Sequence, residues 1–288
     1  MQQTAGEMFY YRLSSAIEAQ DLATLETLYH PDATLISLTT GQIIQGRAAI
    51  MATIKQTLSV TSPIKPIAIE SFVELSDDII CVEATQSTRF TQNRQAYDIY
   101  LLQAGVIRNH FSGMISPRQP ATPLHLGAPA TPEQHFHRRY WTARQAQNLA
   151  QLRTLYHPDT ISISVSGGSV TQGYDTIENN FQQETRELGP SRLKALTRFI
   201  EDSDLICTEG TFTIDIDPGM SLTRVPLDLQ FYNIFLLRAG VIRLTFSGLI
   251  SPRPAELKEA FKLIAERRRK ALGMTWDAFI TSRRRWGL

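Results

Sequence analysis

Two tripeptides, His30-Pro31-Asp32 and His157-Pro158-Asp159, set an imidazole beside a carboxylate. That pairing suits a metal ligand set or an acid–base couple. Metal sites need three or four converging ligands, and no third His, Cys or paired carboxylate accompanies both tripeptides. The spacing therefore favours a structural role: a histidine near a helix C-terminus, and an aspartate that caps or turns the chain. No metal and no cofactor is expected. His135 and His137 lie two apart near a helix start, cannot face one another there, and are assigned to the surface. Cys81 and Cys207 sit in Ile-Ile-Cys-Val-Glu and Leu-Ile-Cys-Thr-Glu, where no neighbouring base would make a thiolate. They read as small buried hydrophobes.

The two tripeptides and the two cysteines recur as pairs, and the pairing is systematic. Between Phe9–Ile50 and Phe136–Ile177, 20 of 42 positions are identical at an offset of 127. Between Leu101–Arg118 and Leu236–Arg253, 14 of 18 are identical at an offset of 135. The chain is an internal duplication. The added residues of the second copy fall within 215–228, where Asp217-Pro218-Gly219 signals a turn and a longer hairpin. Domain spans follow: 1–118 for copy one, a proline-rich semi-rigid linker at 119–133, 134–254 for copy two, and a basic tail at 255–288.

The elements that must position any site repeat as well. Apolar residues at 9, 13, 16 and 17 have helical spacing. Asp21, or Asn148 in copy two, caps a short helix over Leu22–Tyr29, and Pro31 stops it. A hairpin follows over Thr34–Leu38 and Ile43–Gln45, then a third helix from Gly46 to about Leu58. Alternation and β-branched residues then predict strands at Ile67–Leu75, Ile79–Phe90, Tyr97–Gln103 and Val106–Ser116. The fold class is α+β: two tandem units, each with three helices on a curved antiparallel sheet, and a C-terminal helical tail. Two related units on a short spacer are expected to pack as a pseudo-dimer.

Composition excludes several classes. No apolar run reaches the length of a membrane span, and the first residues lack the order of a signal peptide, so a cytoplasmic protein is expected. The net charge of +1 conceals a division. Residues 255–288 hold nine Lys/Arg against four Asp/Glu, which leaves 20 basic and 24 acidic residues in the body. The body offers no nucleic-acid groove. In the tail, Leu257, Phe261, Ile264 and Leu272 make one apolar face while Arg267–Lys270 crowd the other. Docking of that face on the acidic body is favoured over a membrane or nucleic-acid role.

The order helix–helix–hairpin–helix–meander, with Leu-Tyr-His-Pro-Asp ahead of the first strand and Gly46-x-x-x-Ile50 (Gly173-x-x-x-Ile177) opening the third helix, resembles the SnoaL-like branch of the nuclear transport factor 2-like superfamily. The resemblance covers about 9–118 and 136–253. It implies a cone with a deep apolar pocket, and a range of functions from ketosteroid isomerase and polyketide cyclases to non-enzymatic binding domains. Fold alone names no reaction.

Carried over position by position, the isomerase's carboxylate base falls on Ser37 and Ser164, its oxyanion tyrosine on Leu13 and Tyr140, and its protonated acid on Asp98 and Asn233. Neither copy holds the full set, and unactivated serine is no general base. Strand alternation then places Asp98 and Tyr100 in the pocket of copy one with Asn109 and Phe111; Phe246 is the counterpart of Phe111 in copy two, and Leu244 replaces Asn109. Arg108 and Arg243, on the opposite face, would point to a domain–domain surface. Asp98 in an apolar pocket could act as acid or base; alternatively it bonds a backbone group or an arginine. The expected function is binding of a small apolar or polyketide-like ligand without isomerase-type catalysis. The alternative is a cyclase, isomerase or hydratase using Asp98 or Tyr140.

Overall fold

The computed structural model describes residues 3–116, 123–124, 127–216 and 225–251. The expected tail helices at 255–288 and the turn at 217–219 lie outside the described residues. Unit one runs α1 (Ala5–Ala19), α2 (Leu22–Leu28), β1 (Tyr29–Ser37), β2 (Gln42–Gln45), α3 (Arg47–Thr61), β3 (Lys65–Leu75), β4 (Ile79–Ser87), β5 (Arg94–Gln103) and β6 (Val106–Ser116). Unit two repeats the order as α4 (Pro132–Gln145), α5 (Leu149–Arg153), β7 (Tyr156–Ser164), β8 (Ser169–Gln172), α6 (Tyr174–Leu188), β9 (Arg192–Asp202), β10 (Leu205–Ile216), β11 (Val225–Arg238) and β12 (Val241–Ser251). No helix among the described residues is long and apolar enough to cross a membrane.

Local chemistry accounts for the helix starts. Thr4 and Glu7 form a reciprocal capping box on α1. Asp21 and Asn148 accept from the N–H groups of Thr24 and Gln151 at 3.0 Å, capping α2 and α5. Thr131 caps α4 and Pro132 is its first residue. The end of the 119–133 spacer therefore belongs to unit two, and Leu124 also bridges to Leu196 of β9.

Each unit holds one six-stranded sheet, in the order β2-β1-β6-β5-β4-β3 and its equivalent β8-β7-β12-β11-β10-β9. The sheets are mixed rather than antiparallel, because β1 runs parallel to β6 and β7 parallel to β12. The first strand also starts earlier than proline chemistry suggested. Tyr29 already pairs with Ile107, and the register then shifts before Thr34 pairs with Asn109. His30-Pro31-Asp32 occupies this irregularity, where a strand tolerates proline. His30 Nδ1 accepts the Asp32 N–H at 3.1 Å, and His157 does the same for Asp159. Both tripeptides are thus local backbone devices at the start of a strand, with His30 directly after the C-cap of α2. Arg108 contacts the carbonyl of Asp32, and Arg243 contacts the ring of His157. These arginines brace the irregular strand and do not reach the surface between units.

Alternation along the strands gives each sheet two apolar faces. One face packs on the unit's own helices. The other meets the second unit in a single buried cluster that includes Ile36, Cys81, Tyr97, Ile99 and Phe111 with Ile163, Cys207, Tyr232, Ile234 and Phe246. Tyr97 and Tyr232 stack at its centre, 3.8 Å between centroids and 9° from parallel. Each phenol donates to a buried glutamate of the other unit: Tyr97 to Glu209 at 3.1 Å, Tyr232 to Glu83 at 2.9 Å. The repeated Phe-Ser-Gly serves this contact. A Cβ on Gly113 would lie 2.2 Å from the Tyr97 ring, and one on Gly248 2.3 Å from the Tyr232 ring. The longer hairpin of copy two is β10–β11, whose pairing extends to Ile216 opposite Val225. His137, assigned to the surface by spacing, is buried at 4% exposure between Trp141 and Phe199.

Candidate functional site

Each unit encloses a cavity between its sheet and its helices. The cavity of unit one has a volume of about 290 Å³. Leu13 of α1, Ser37 of β1, and Asp98 and Tyr100 of β5 line it. Asn109 and Phe111 do not; His110 and Ser112 stand in their place. The reason is a bulge. From the Ala104-Gly105 turn, Gln103 pairs with Val106 and Leu102 with Ile107, but Leu101 then pairs with Asn109. One extra residue, Arg108, flips every later side chain of β6 to the other face. Tyr100 therefore opposes His110 and Asp98 opposes Ser112, while Phe111 turns into the contact between units. The same shift at Arg243 sends Phe246 there, 6.4 Å from Phe111.

The bulge assembles a relay that sequence reasoning missed. His110 Nε2 lies 2.9 Å from Asp98 Oδ1, and His110 Nδ1 lies 2.9 Å from the Tyr29 hydroxyl. Tyr29 is buried at 2% exposure, and burial, aided by the Asp98 charge, pushes its phenol far above the ordinary range. It therefore stays protonated; when it donates to Nδ1, the ring proton sits on Nε2 and points at Asp98. Tyr100 tilts against the His110 ring with centroids 4.6 Å apart. Its phenol is raised by burial first and by Asp98 second. Burial likewise pushes up the phenol of Tyr10, with Asp98 adding to it. Arg94 also lines the cavity; its Nε is buried with no hydrogen-bond partner among the described residues. Burial lowers its pKa, and the charge of Asp98 opposes that fall. The available signal was Tyr100 itself, whose cross-strand neighbour would have been His110 once a bulge was counted.

The cavity of unit two is larger, about 460 Å³. Tyr140, Ser164 and Asn233 line it; Phe246 does not. Asn233 replaces Asp98 and Thr245 replaces His110, so the titratable pair is gone. Arg144 is the added feature. It donates from Nη1 to the Tyr140 hydroxyl at 3.1 Å and from Nη2 to Glu184 at 2.9 Å. Its guanidinium also lies 5.0 Å from the Phe181 ring centroid. Tyr140 thus accepts from a cation. No group of three or more His, Cys, Asp or Glu among the described residues could hold a metal ion.

Comparison with known proteins follows the same division. Residues 7–113 match the family model described as the SnoaL-like domain. Over these residues the first unit is similar to a SnoaL-like domain, and the second unit repeats its elements, their order and their pairing. No curated protein matches the chain. Among solved structures, TerC co-crystallized with polyporic acid has a TM-score of 0.38 at 19% identity, covering 46% of this chain and 99% of its own. A protein of Shewanella putrefaciens, assigned to the SnoaL-like polyketide cyclases, has 0.41 at 11% identity over 46% of this chain and 99% of its own. IdmH of Streptomyces antibioticus, assigned to the polyketide cyclases, has 0.35 at 16%, covering 40% and 89%. Each spans less than half of this chain.

Proposed function

We propose that unit one is an acid–base site for a small, mostly apolar or polyketide-like molecule bearing a carbonyl, with Asp98 moving the proton. The observation that carries this reading is the Tyr29–His110–Asp98 chain on the cavity wall. His110 hydrogen-bonds one carboxylate oxygen and fixes the orientation of the carboxylate. The other, Oδ2, has no partner among the described residues and can take a proton from a carbon next to a carbonyl. Tyr100, kept neutral by burial, can donate to the oxygen on which charge develops. The roles of the isomerase are thus filled by different positions, with the base at Asp98 rather than Ser37. The apolar lining, including Leu13, Ile17, Leu25 and Leu58, excludes water and favours a hydrophobic ligand. Simple binding without turnover is the second reading, favoured for unit two by its loss of the Asp–His pair.

The test uses 1-tetralone, an apolar bicyclic ketone, as probe. Exchange of its α-hydrogens for deuterium is followed by NMR with the full chain and with Asp98→Asn. A positioned base contributes on the order of 10²–10⁴-fold, so exchange should be accelerated by the wild type and fall by at least about 100-fold in Asp98→Asn. Tyr100→Phe should retain binding and lose rate. Equal rates for wild type and Asp98→Asn would replace catalysis with the binding reading.

A further inference from the structure

The sheet wall of unit two carries a feature that the lost acid–base pair does not explain. Ser162 and Ser164 on β7, Thr245 and Ser247 on β12, and Asn233 on β11 all line its cavity. Ser162 lies opposite Thr245, Ser164 opposite Ser247, and Ser247 opposite Asn233. They form one continuous patch across three strands. None of these five side chains has a hydrogen-bond partner within the protein among the described residues. Unpartnered polar groups on a partly dry wall are costly unless something else satisfies them.

From this patch we infer that unit two holds a binding site for a neutral, flat small molecule with hydroxyl or carbonyl groups along one edge. The corresponding wall in unit one is Leu35, Ser37, His110, Ser112 and Asp98. Relative to it, unit two has exchanged one apolar and two titratable side chains for neutral donors and acceptors. Hydrogen-bonding capacity rises while charge disappears. The nearby cation does not call for an anion, because Arg144 is already joined to Glu184 and Tyr140. The helix side supplies flat apolar partners, with Trp141 of α4 and Phe181 of α6 lining the same space. A volume of about 460 Å³ lies within the range of small-molecule pockets. Ligand oxygens would meet the patch while the ring system packs on the aromatic side chains. This site stands independently of the chemistry proposed for unit one.

The test is a fluorescence titration of the full chain at pH 7 with three probes: 2,7-dihydroxynaphthalene, naphthalene and 2-naphthoate. The neutral diol should bind tightest, by at least about tenfold over 2-naphthoate, since that anion would lose its hydration against an uncharged wall. The double variant Ser164→Ala, Ser247→Ala should weaken the diol by about tenfold or more, the worth of one to two hydrogen bonds, and leave naphthalene unchanged. Asn233→Leu should act in the same direction, with circular dichroism confirming the fold of each variant. The inference is overturned if the diol does not saturate, if naphthalene or 2-naphthoate binds as tightly, or if both variants keep the wild-type preference.

Discussion

His137 provides the sharpest quantitative test of how unit two is built. The side chain is 4% exposed and its ring meets Phe199 edge-on at 5.3 Å. Trp141 Nε1 donates to His137 Nε2 at 3.1 Å, which requires that nitrogen to be unprotonated. Burial pulls its pKa from 6.5 down to about 4. The shift corresponds to about 3 kcal/mol, at roughly 1.4 kcal/mol per pH unit. Its sign follows from linkage: the unfolded chain takes up the proton first as the pH falls. The folded state is therefore unpenalised above about pH 6.5, and loses stability progressively down to about pH 4. Against the usual ~5–15 kcal/mol for a domain, that is a large fraction.

Urea unfolding of the wild type and His137→Phe, at fixed ionic strength from pH 7.5 to 4, isolates this contribution from the carboxylates that titrate in both. The variant should begin less stable at pH 7.5, by about 1–3 kcal/mol, because the Trp141 N–H loses its acceptor. Its disadvantage should then shrink by about 3 kcal/mol on acidification. A difference between the two curves that stays constant within about 0.5 kcal/mol from pH 6.5 to 4 would refute the buried, neutral histidine.

Two further predictions concern the contact between the units. Gly113→Ala and Gly248→Ala should each destabilise the chain by about 1–3 kcal/mol or more in thermal unfolding, since the new methyl would collide with a stacked tyrosine; an unchanged midpoint would contradict the packing. Tyr97→Phe removes the donor to buried Glu209 and should cost about 1–3 kcal/mol in denaturant titration, whereas a loss below about 0.5 kcal/mol would mean the bond contributes little.

The sequence by itself determined the duplication, the order of elements and most of their bounds. Helix caps at Asp21 and Asn148, periodicity in α1, and alternation in β4–β6 are set by neighbours a few residues away, so they can be read locally. The candidate positions Leu13, Ser37, Asp98, Tyr140, Ser164 and Asn233 came from the family resemblance, carried over position by position, and not from local spacing. The Tyr29–His110–Asp98 chain was not legible. Its members come from three strands, and their meeting depends on a one-residue bulge that leaves no mark in hydrophobic pattern. Burial of His137 was likewise hidden, because its aromatic neighbour Phe199 lies on β9, far along the chain. The second face of each sheet settled the remainder. Phe111 and Phe246 satisfy alternation equally well as pocket or contact residues, and only the packing of one sheet against the other assigned them. Strand period specifies which residues share a face; tertiary structure alone decides what that face meets.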